Sequence, residues 1–173
     1  MCVAWRVGER NYDVNITFMT ARSRLVHYMT VPELKTDENR KLVLDKMREY
    51  KPSAIFLSCL DTSVRRLAER ITDLVNELKS EPNFKQPIIQ LAEDDTARWY
   101  VNSENIMQEL KDVKPKPGPT GRYCFGLGRR QLRPEVEYAS LPKEDLMAMS
   151  WHPSQSLVSY YVLRAVLFWL DIS

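Results

Sequence analysis

Carboxylates are the side chains of this sequence that could best support catalysis. Asp13, Asp61 and Glu93 each stand beside a segment whose residue pattern predicts a strand. Carboxylate oxygens are the ligands that hard divalent cations prefer, and two such ions held close together can drive phosphodiester hydrolysis. A metal-dependent nuclease would therefore need these three carboxylates to converge at one place.

Each carboxylate also has a simpler structural interpretation, which we favour. Asp61 stands just before an amphipathic pattern, where an aspartate caps free backbone N–H groups and meets the positive end of the helix dipole. Glu93, followed by Asp94 and Asp95, fits a solvated connection between a strand and a helix.

The other reactive side chains form no catalytic pattern. The two histidines, His27 and His152, have no partner at metal-ligand spacing. No serine or cysteine stands in a nucleophile motif such as G-x-S-x-G. We therefore expect no bound metal and no cofactor.

A short basic stretch could instead contact phosphate groups. Two of its arginines, Arg129 and Arg133, share a helix face at i, i+4 spacing. Pairing with Glu135 and Glu137 is the alternative, and we favour it. The candidate nucleic-acid-binding residues are Arg122, Arg129, Arg130, Arg133, Lys114 and Lys116.

Composition excludes several classes of protein. The 173 residues include 25 Lys and Arg against 23 Asp and Glu, so there is no strong global charge for nucleic acid. The three cysteines lack C-x-x-C spacing, which favours a reducing compartment. No signal-peptide pattern opens the chain, and the apolar tract Val162–Leu170 is too short to span a bilayer. We expect a soluble, intracellular protein that does not contact membranes.

The hydrophobic pattern predicts an α/β fold with a mixed sheet. Three strands joined by tight turns form an antiparallel meander, and two buried strands follow in parallel crossovers. The predicted strands are Cys2–Val7, Val14–Met19, Leu25–Val31, Ser53–Leu60 and Pro87–Leu91. Helices are predicted over Thr36–Lys51, from Asp61 to Leu78, Arg122–Leu132, Pro134–Leu141 and Gln155–Leu170, with a short strand at Leu146–Trp151.

The length suits one domain spanning residues 1–173. A Lys-, Pro- and Gly-rich segment at about 111–121 interrupts it and is predicted to be a surface linker without helix. In the second half, Tyr138, Leu141, Trp151 and one face of the last helix are expected to form a subcore against the sheet.

The second half also carries a motif that resembles a known family. It reads Leu127-Gly128-Arg129-Arg130, then the segment Pro134–Leu141, then His152-Pro153-Ser154-Gln155. This order resembles the YqgF domain of the eukaryotic transcription elongation factor and histone chaperone called suppressor-of-Ty six, in the family that includes bacterial Tex. Gly128 stands where that family often has alanine.

The resemblance implies an RNase H-like fold within a much larger nuclear factor. It implies as partners the neighbouring domains of that factor and, through the whole protein, the RNA polymerase II elongation complex and histones. Weak DNA or RNA binding is also compatible with it. None of the family's other partner-binding domains lies in this chain.

The resemblance further implies that catalysis is degenerate. Active relatives carry an acid in strand one, where this chain has none and has Arg6 instead. Glu93 is the nearest match to their catalytic glutamate, and the place of their third acid, before the last helix, falls on His152–Gln155, which contains none. We expect a non-enzymatic scaffold or interaction module; an active nuclease of the resolvase type is the alternative.

Overall fold

The fold is described from a computed structural model. It describes residues 1–5, 13–58, 64–141, 147, 149 and 153–169. The chain divides into two compact units, Met1–Pro134 and Glu135–Ser173.

A five-stranded mixed sheet forms the centre of the first unit. Its strands lie in the order β3-β2-β1-β4-β5. Strand β1 pairs antiparallel with β2 and parallel with β4, and β4 pairs parallel with β5. This arrangement confirms the predicted meander followed by parallel crossovers. The strands are β1 (Cys2–Trp5), β2 (Val14–Met19), β3 (Leu25–Val31), β4 (Ala54–Leu57) and β5 (Ile88–Leu91).

Seven helices are defined within the described residues. The first five belong to the first unit, where α2 has the strongest amphipathic pattern, with its apolar residues three and four apart. The helices are α1 (Asp37–Tyr50), α2 (Val64–Leu78), α3 (Asp95–Tyr100), α4 (Glu104–Glu109), α5 (Pro119–Leu132), α6 (Pro134–Ala139) and α7 (Tyr160–Trp169).

The sheet separates two hydrophobic cores, because successive strand side chains point to opposite faces. On one face, alternate residues such as Val3, Ile16 and Leu57 pack with α1 and α2. On the other face, Cys2 packs with residues of α3 and α5, including Leu127. Helix α5 is therefore the element that positions side chains over the second face.

Two glycines allow α5 to approach the sheet closely. A Cβ atom on Gly121 would lie 2.5 Å from the hydroxyl oxygen of Tyr28. A Cβ atom on Gly128 would clash with Met19 and would lie 2.7 Å from the sulfur of Cys2. A side chain at position 128 would therefore displace Met19 and Cys2, which accounts for glycine at this place in the helix.

The structure corrects several predicted boundaries. Helix α5 begins at Pro119, three residues earlier than expected, because proline at the first helical position has no backbone N–H to leave unpaired. The predicted linker at about 111–121 therefore overlaps the start of a helix. A helix was expected after Glu93–Asp95, where α3 begins, but its bounds were not predicted, and α4 was not predicted at all. Their sequences are too short to show a clear helical period.

The second unit differs in part from the sequence-based expectation. A 3₁₀ turn at Pro153–Leu157 precedes α7, so the last helix begins later than predicted. Met147 is helical rather than extended, and Trp151 lies outside the described residues. In the last helix, Tyr161 is 80% exposed and Val162 is 54% exposed. The subcore expected between this helix and the sheet stays a prediction.

Candidate functional site

The candidate site lies where the three parallel strands end. Val3 of β1 pairs with Leu57 of β4, and Leu57 pairs with Leu91 of β5. These pairings bring the carboxyl ends of the three strands to one edge of the sheet. Strand β2 runs the opposite way and begins at the same edge, where Val14 pairs with Trp5. The fold thus brings the residues before β2 and after β4 and β5 to one end of the sheet.

The structure keeps two of the predicted carboxylates, Asp13 and Glu93, next to strands that are far apart in the sheet. Asp13 stands before β2, whereas Glu93 follows β5, and β1 and β4 lie between these strands. Three strand spacings amount to roughly 14 Å, much more than the separation of two ions in a two-metal site. Asp61 and Arg6 lie outside the described residues.

An arginine holds the acidic segment that follows β5. The Arg130 guanidinium donates to Asp95 through Nε at 2.9 Å and to Glu93 through a terminal nitrogen at 2.8 Å. Gln131 donates its side-chain amide to the backbone carbonyl of Glu93 at 3.0 Å. Carboxylate oxygens that would be needed as metal ligands are therefore bonded to a cation of the protein itself.

Asp94 belongs to a second set of contacts at the same edge. Its Oδ2 accepts hydrogen bonds from Arg98 Nε and from the Tyr123 hydroxyl, both at 2.8 Å. Ser58, directly after β4, donates to the Tyr123 oxygen at 3.2 Å. Tyr123 is 3% exposed, and its burial raises its pKa above the ordinary value, so the phenol stays protonated and acts as a donor.

Sequence reasoning did not identify Tyr123 as a site residue. It lies on α5 and connects the ends of β4 and β5 through its two partners, Ser58 and Asp94. Its helical spacing from Leu127, which also faces the sheet, was the available signal.

The predicted phosphate-contacting arginines are engaged within the first unit. Arg129 forms an ion pair with Glu109 at 2.5 Å and lies over the rings of Tyr100 and Phe125. Arg122 donates from Nε to the carbonyl of Val101 at 2.7 Å. Intramolecular bonding thus occupies side chains that were considered for nucleic acid.

The remaining basic candidates lie at the ends of α5. Arg133 is the C-cap residue of α5, and its backbone angles are not helical. Of the two arginines expected to share a helix face, only Arg129 therefore lies inside the helix. Lys114 and Lys116 are exposed in the segment before the helix. Acidic partners were expected for the arginines, but Glu109 was missed because α4 was not predicted.

The described residues contain neither a metal-binding cluster nor a membrane-spanning helix. No cluster of three or more His, Cys, Asp or Glu side chains in those ranges could hold a metal ion. Within the same ranges, no helix has the length and apolar character needed to cross a membrane.

Sequence comparisons identify the family. The family model described as YqgF, Holliday-junction resolvase-like of SPT6, matches residues 7–142. This match covers most of the chain, so the chain belongs to the YqgF family, and its mixed sheet flanked by helices is RNase H-like.

Curated relatives carry the name transcription elongation factor SPT6. The chain is 32% identical to the Kluyveromyces lactis protein over 66% of its own length, and 31% identical to the Saccharomyces cerevisiae protein over 65%. It is 30% identical to the Candida glabrata protein over 75%. The chain spans only 8–9% of the length of these relatives.

Proposed function

We propose that this chain is a catalytically degenerate RNase H-like domain that serves as an interaction module. In this proposal it does not cleave nucleic acid. The observation that carries the proposal is the pairing of Glu93 and Asp95 with Arg130 at the edge where catalytic acids would have to converge. A guanidinium repels a metal ion and competes with it for the same oxygens.

The position of the other acids supports the same conclusion. Asp13 is about three strand spacings from β5. Asp94 is already bonded to Arg98 and Tyr123. The described part of β1, Cys2–Trp5, contains no carboxylate.

The exposed apolar side chains of β5 support a role in packing against protein. Strand β5 lies at the edge of the sheet, and two of its apolar residues are exposed: Ile88 at 70% and Leu91 at 52%. Exposed apolar residues on an edge strand are suited to contact with another polypeptide. The nearly balanced charge of the chain is compatible with such a role.

The names of the relatives also support a proposal about the cellular role of this chain. We propose that the chain acts within a nuclear transcription elongation factor and histone chaperone that accompanies RNA polymerase II. Its immediate partners would be the neighbouring domains of that factor. The similarity to proteins named transcription elongation factor SPT6 supports this context.

A cleavage assay tests the proposal against the alternative of an active resolvase-type nuclease. The chain is incubated with branched DNA, single strands and RNA–DNA hybrid in magnesium or manganese. No product above the buffer control is expected. Cleavage that disappears in a Glu93→Gln variant, but persists in an Asp112→Asn control, would overturn the proposal.

A further inference from the structure

Strand β5 is the last strand of the sheet, and its outer backbone edge has no neighbouring strand among the described residues. The N–H groups of Ile88 and Ala92 donate to backbone carbonyls on the β4 side, at 3.1 and 2.9 Å. Because peptide groups along a strand point alternately to its two sides, those of Ile89 and Leu91 point outward. The outer edge of β5 therefore presents the donors and acceptors that another strand needs.

The side chains of the same two residues make one face of this edge apolar. Ile89 and Leu91 are two residues apart, so they share a face of the strand. Ile89 packs against the core on the α1 and α2 side of the sheet, whereas Leu91 remains 52% exposed. Pro87, directly before the strand, adds a further apolar side chain. A strand placed beside β5 would therefore extend that core and cover Leu91.

Two opposite charges lie at equal distances along the chain from the middle of this edge. Lys85 stands four residues before Ile89, and Glu93 stands four residues after it. Lys85 is exposed and forms no ion pair with the described residues. The Glu93 side chain pairs with Arg130 but is still 79% exposed, and a carboxylate can accept further donors. Because Asp95 shares the same guanidinium, this acidic group keeps a net negative charge.

This arrangement of charges is complementary to itself. When two copies of β5 pair antiparallel about a two-fold axis at Ile89, Lys85 of each copy comes opposite Glu93 of the other. In the same register Ile89 faces Ile89, and Leu91 faces Pro87 of the second copy. An in-register parallel pairing would instead place lysine beside lysine and glutamate beside glutamate, which is unfavourable. The charges therefore favour the antiparallel direction.

We propose that the outer edge of β5 binds a second copy of this chain, so that the sheets of two copies join across a two-fold axis. The backbone hydrogen bonds of this pairing run from Ile89 N–H to the opposite Ile89 carbonyl, and from Leu91 N–H to the opposite Pro87 carbonyl. Pro87 has no N–H group, so it leaves no donor unpaired at this edge. Because a two-fold pairing is closed, association stops at the dimer.

The dimer goes beyond the proposed role of the chain and does not rest on it. A chain that stays monomeric overturns the dimer, but it leaves packing against the neighbouring domains of a larger factor unaffected. Cleavage of nucleic acid would overturn the degenerate site, but it would leave the pairing of β5 unaffected. The two proposals therefore fail in different experiments.

Sedimentation equilibrium of the chain in EDTA measures this association. Each β5 strand has only four residues, and small interfaces are weak. The weight-average mass is therefore expected to rise from that of one chain toward that of two as the concentration increases from about 10 μM to about 1 mM. A mass that stays at one chain over this range, or one that exceeds two chains, would overturn the proposal.

Charge reversal tests the antiparallel register. Lys85→Glu places glutamate opposite glutamate at both ends of the pairing, and Glu93→Lys places lysine opposite lysine, so each variant alone should associate about tenfold more weakly than the parent. An equimolar mixture of the two restores both pairs of opposite charge and should associate as the parent does. Lys41→Glu, the same reversal at an exposed residue of α1, is the control and should change association less than about twofold. A mixture as weak as its components, or an equal loss in the control, would contradict the register.

Leu91→Lys tests the apolar face of the same edge. Its side chain is half exposed in the single chain, so the variant should stay folded by circular dichroism while association is lost. A folded Leu91→Lys variant that associates like the parent would refute the role of β5. If Glu93→Lys, which places a lysine beside Arg130, does not fold, Lys85→Glu alone decides the role of the charges, and parental association in that variant would refute it.

Discussion

Removal of the Tyr123 hydroxyl should destabilise the fold measurably. In Tyr123→Phe, the ring stays in the second core while two hydrogen bonds are lost, one to the carboxylate of Asp94 at 2.8 Å and one from Ser58 at 3.2 Å. Because this hydroxyl joins residues that follow β4 and β5, its loss should loosen the edge that contains the acidic segment.

The magnitude follows from the two partners. A hydrogen bond to a charged group contributes about 1.5–3 kcal/mol to stability. Asp94 keeps its bond to Arg98, so its carboxylate is not left without a partner, and we take the lower end of that range. The expected loss in the free energy of unfolding is about 1.5 kcal/mol, or roughly 3–6 °C in Tm for a chain of this length.

Urea and thermal denaturation followed by circular dichroism measure this loss. Tyr161→Phe is the matched control, because Tyr161 is 80% exposed and the same change there should alter stability by less than about 0.5 kcal/mol. A Tyr123→Phe variant as stable as the parent and the control would refute the bridging role of this hydroxyl.

Three further outcomes are expected. Gly121→Ala should destabilise the chain by about 1–3 kcal/mol, because its Cβ would meet the buried Tyr28; Gly118→Ala, with nothing within 4 Å, should be nearly neutral in the same denaturation experiment. Burial raises the pKa of the Cys124 thiol, so this thiol should react with an aromatic disulfide at pH 8 much more slowly in the folded chain than in urea. Burial also lowers the pKa of His27, so the unfolded chain binds more protons and stability should fall as the pH drops below about 6.5; His27→Gln should reduce that part of the pH dependence, and an identical profile would contradict it.

The sheet was predictable because its strands carry local signals. In β2, alternation places Val14, Ile16 and Phe18 on one face, and the structure buries all three there. The spacing of apolar residues in α2 likewise predicted the helix and its buried face. In these elements one short segment contains both the secondary-structure signal and the burial signal.

The contacts of the candidate site were not predictable in the same way. Arg130 is 35 residues from Asp95 and 37 from Glu93, so only the packing of α5 brings them together. The sequence showed that arginines near glutamates could form ion pairs, but it favoured near neighbours over distant ones.

The most direct test of the central claim is whether a divalent ion binds at the acidic segment Glu93–Asp95. Paramagnetic broadening of backbone amide signals reports bound Mn²⁺ residue by residue. Because Arg130 pairs with Glu93 and Asp95, millimolar Mn²⁺ should broaden these amides no more than those around the exposed surface acid Asp112. Selective broadening at Glu93–Asp95 that is abolished by Glu93→Gln would contradict the claim that this site is degenerate.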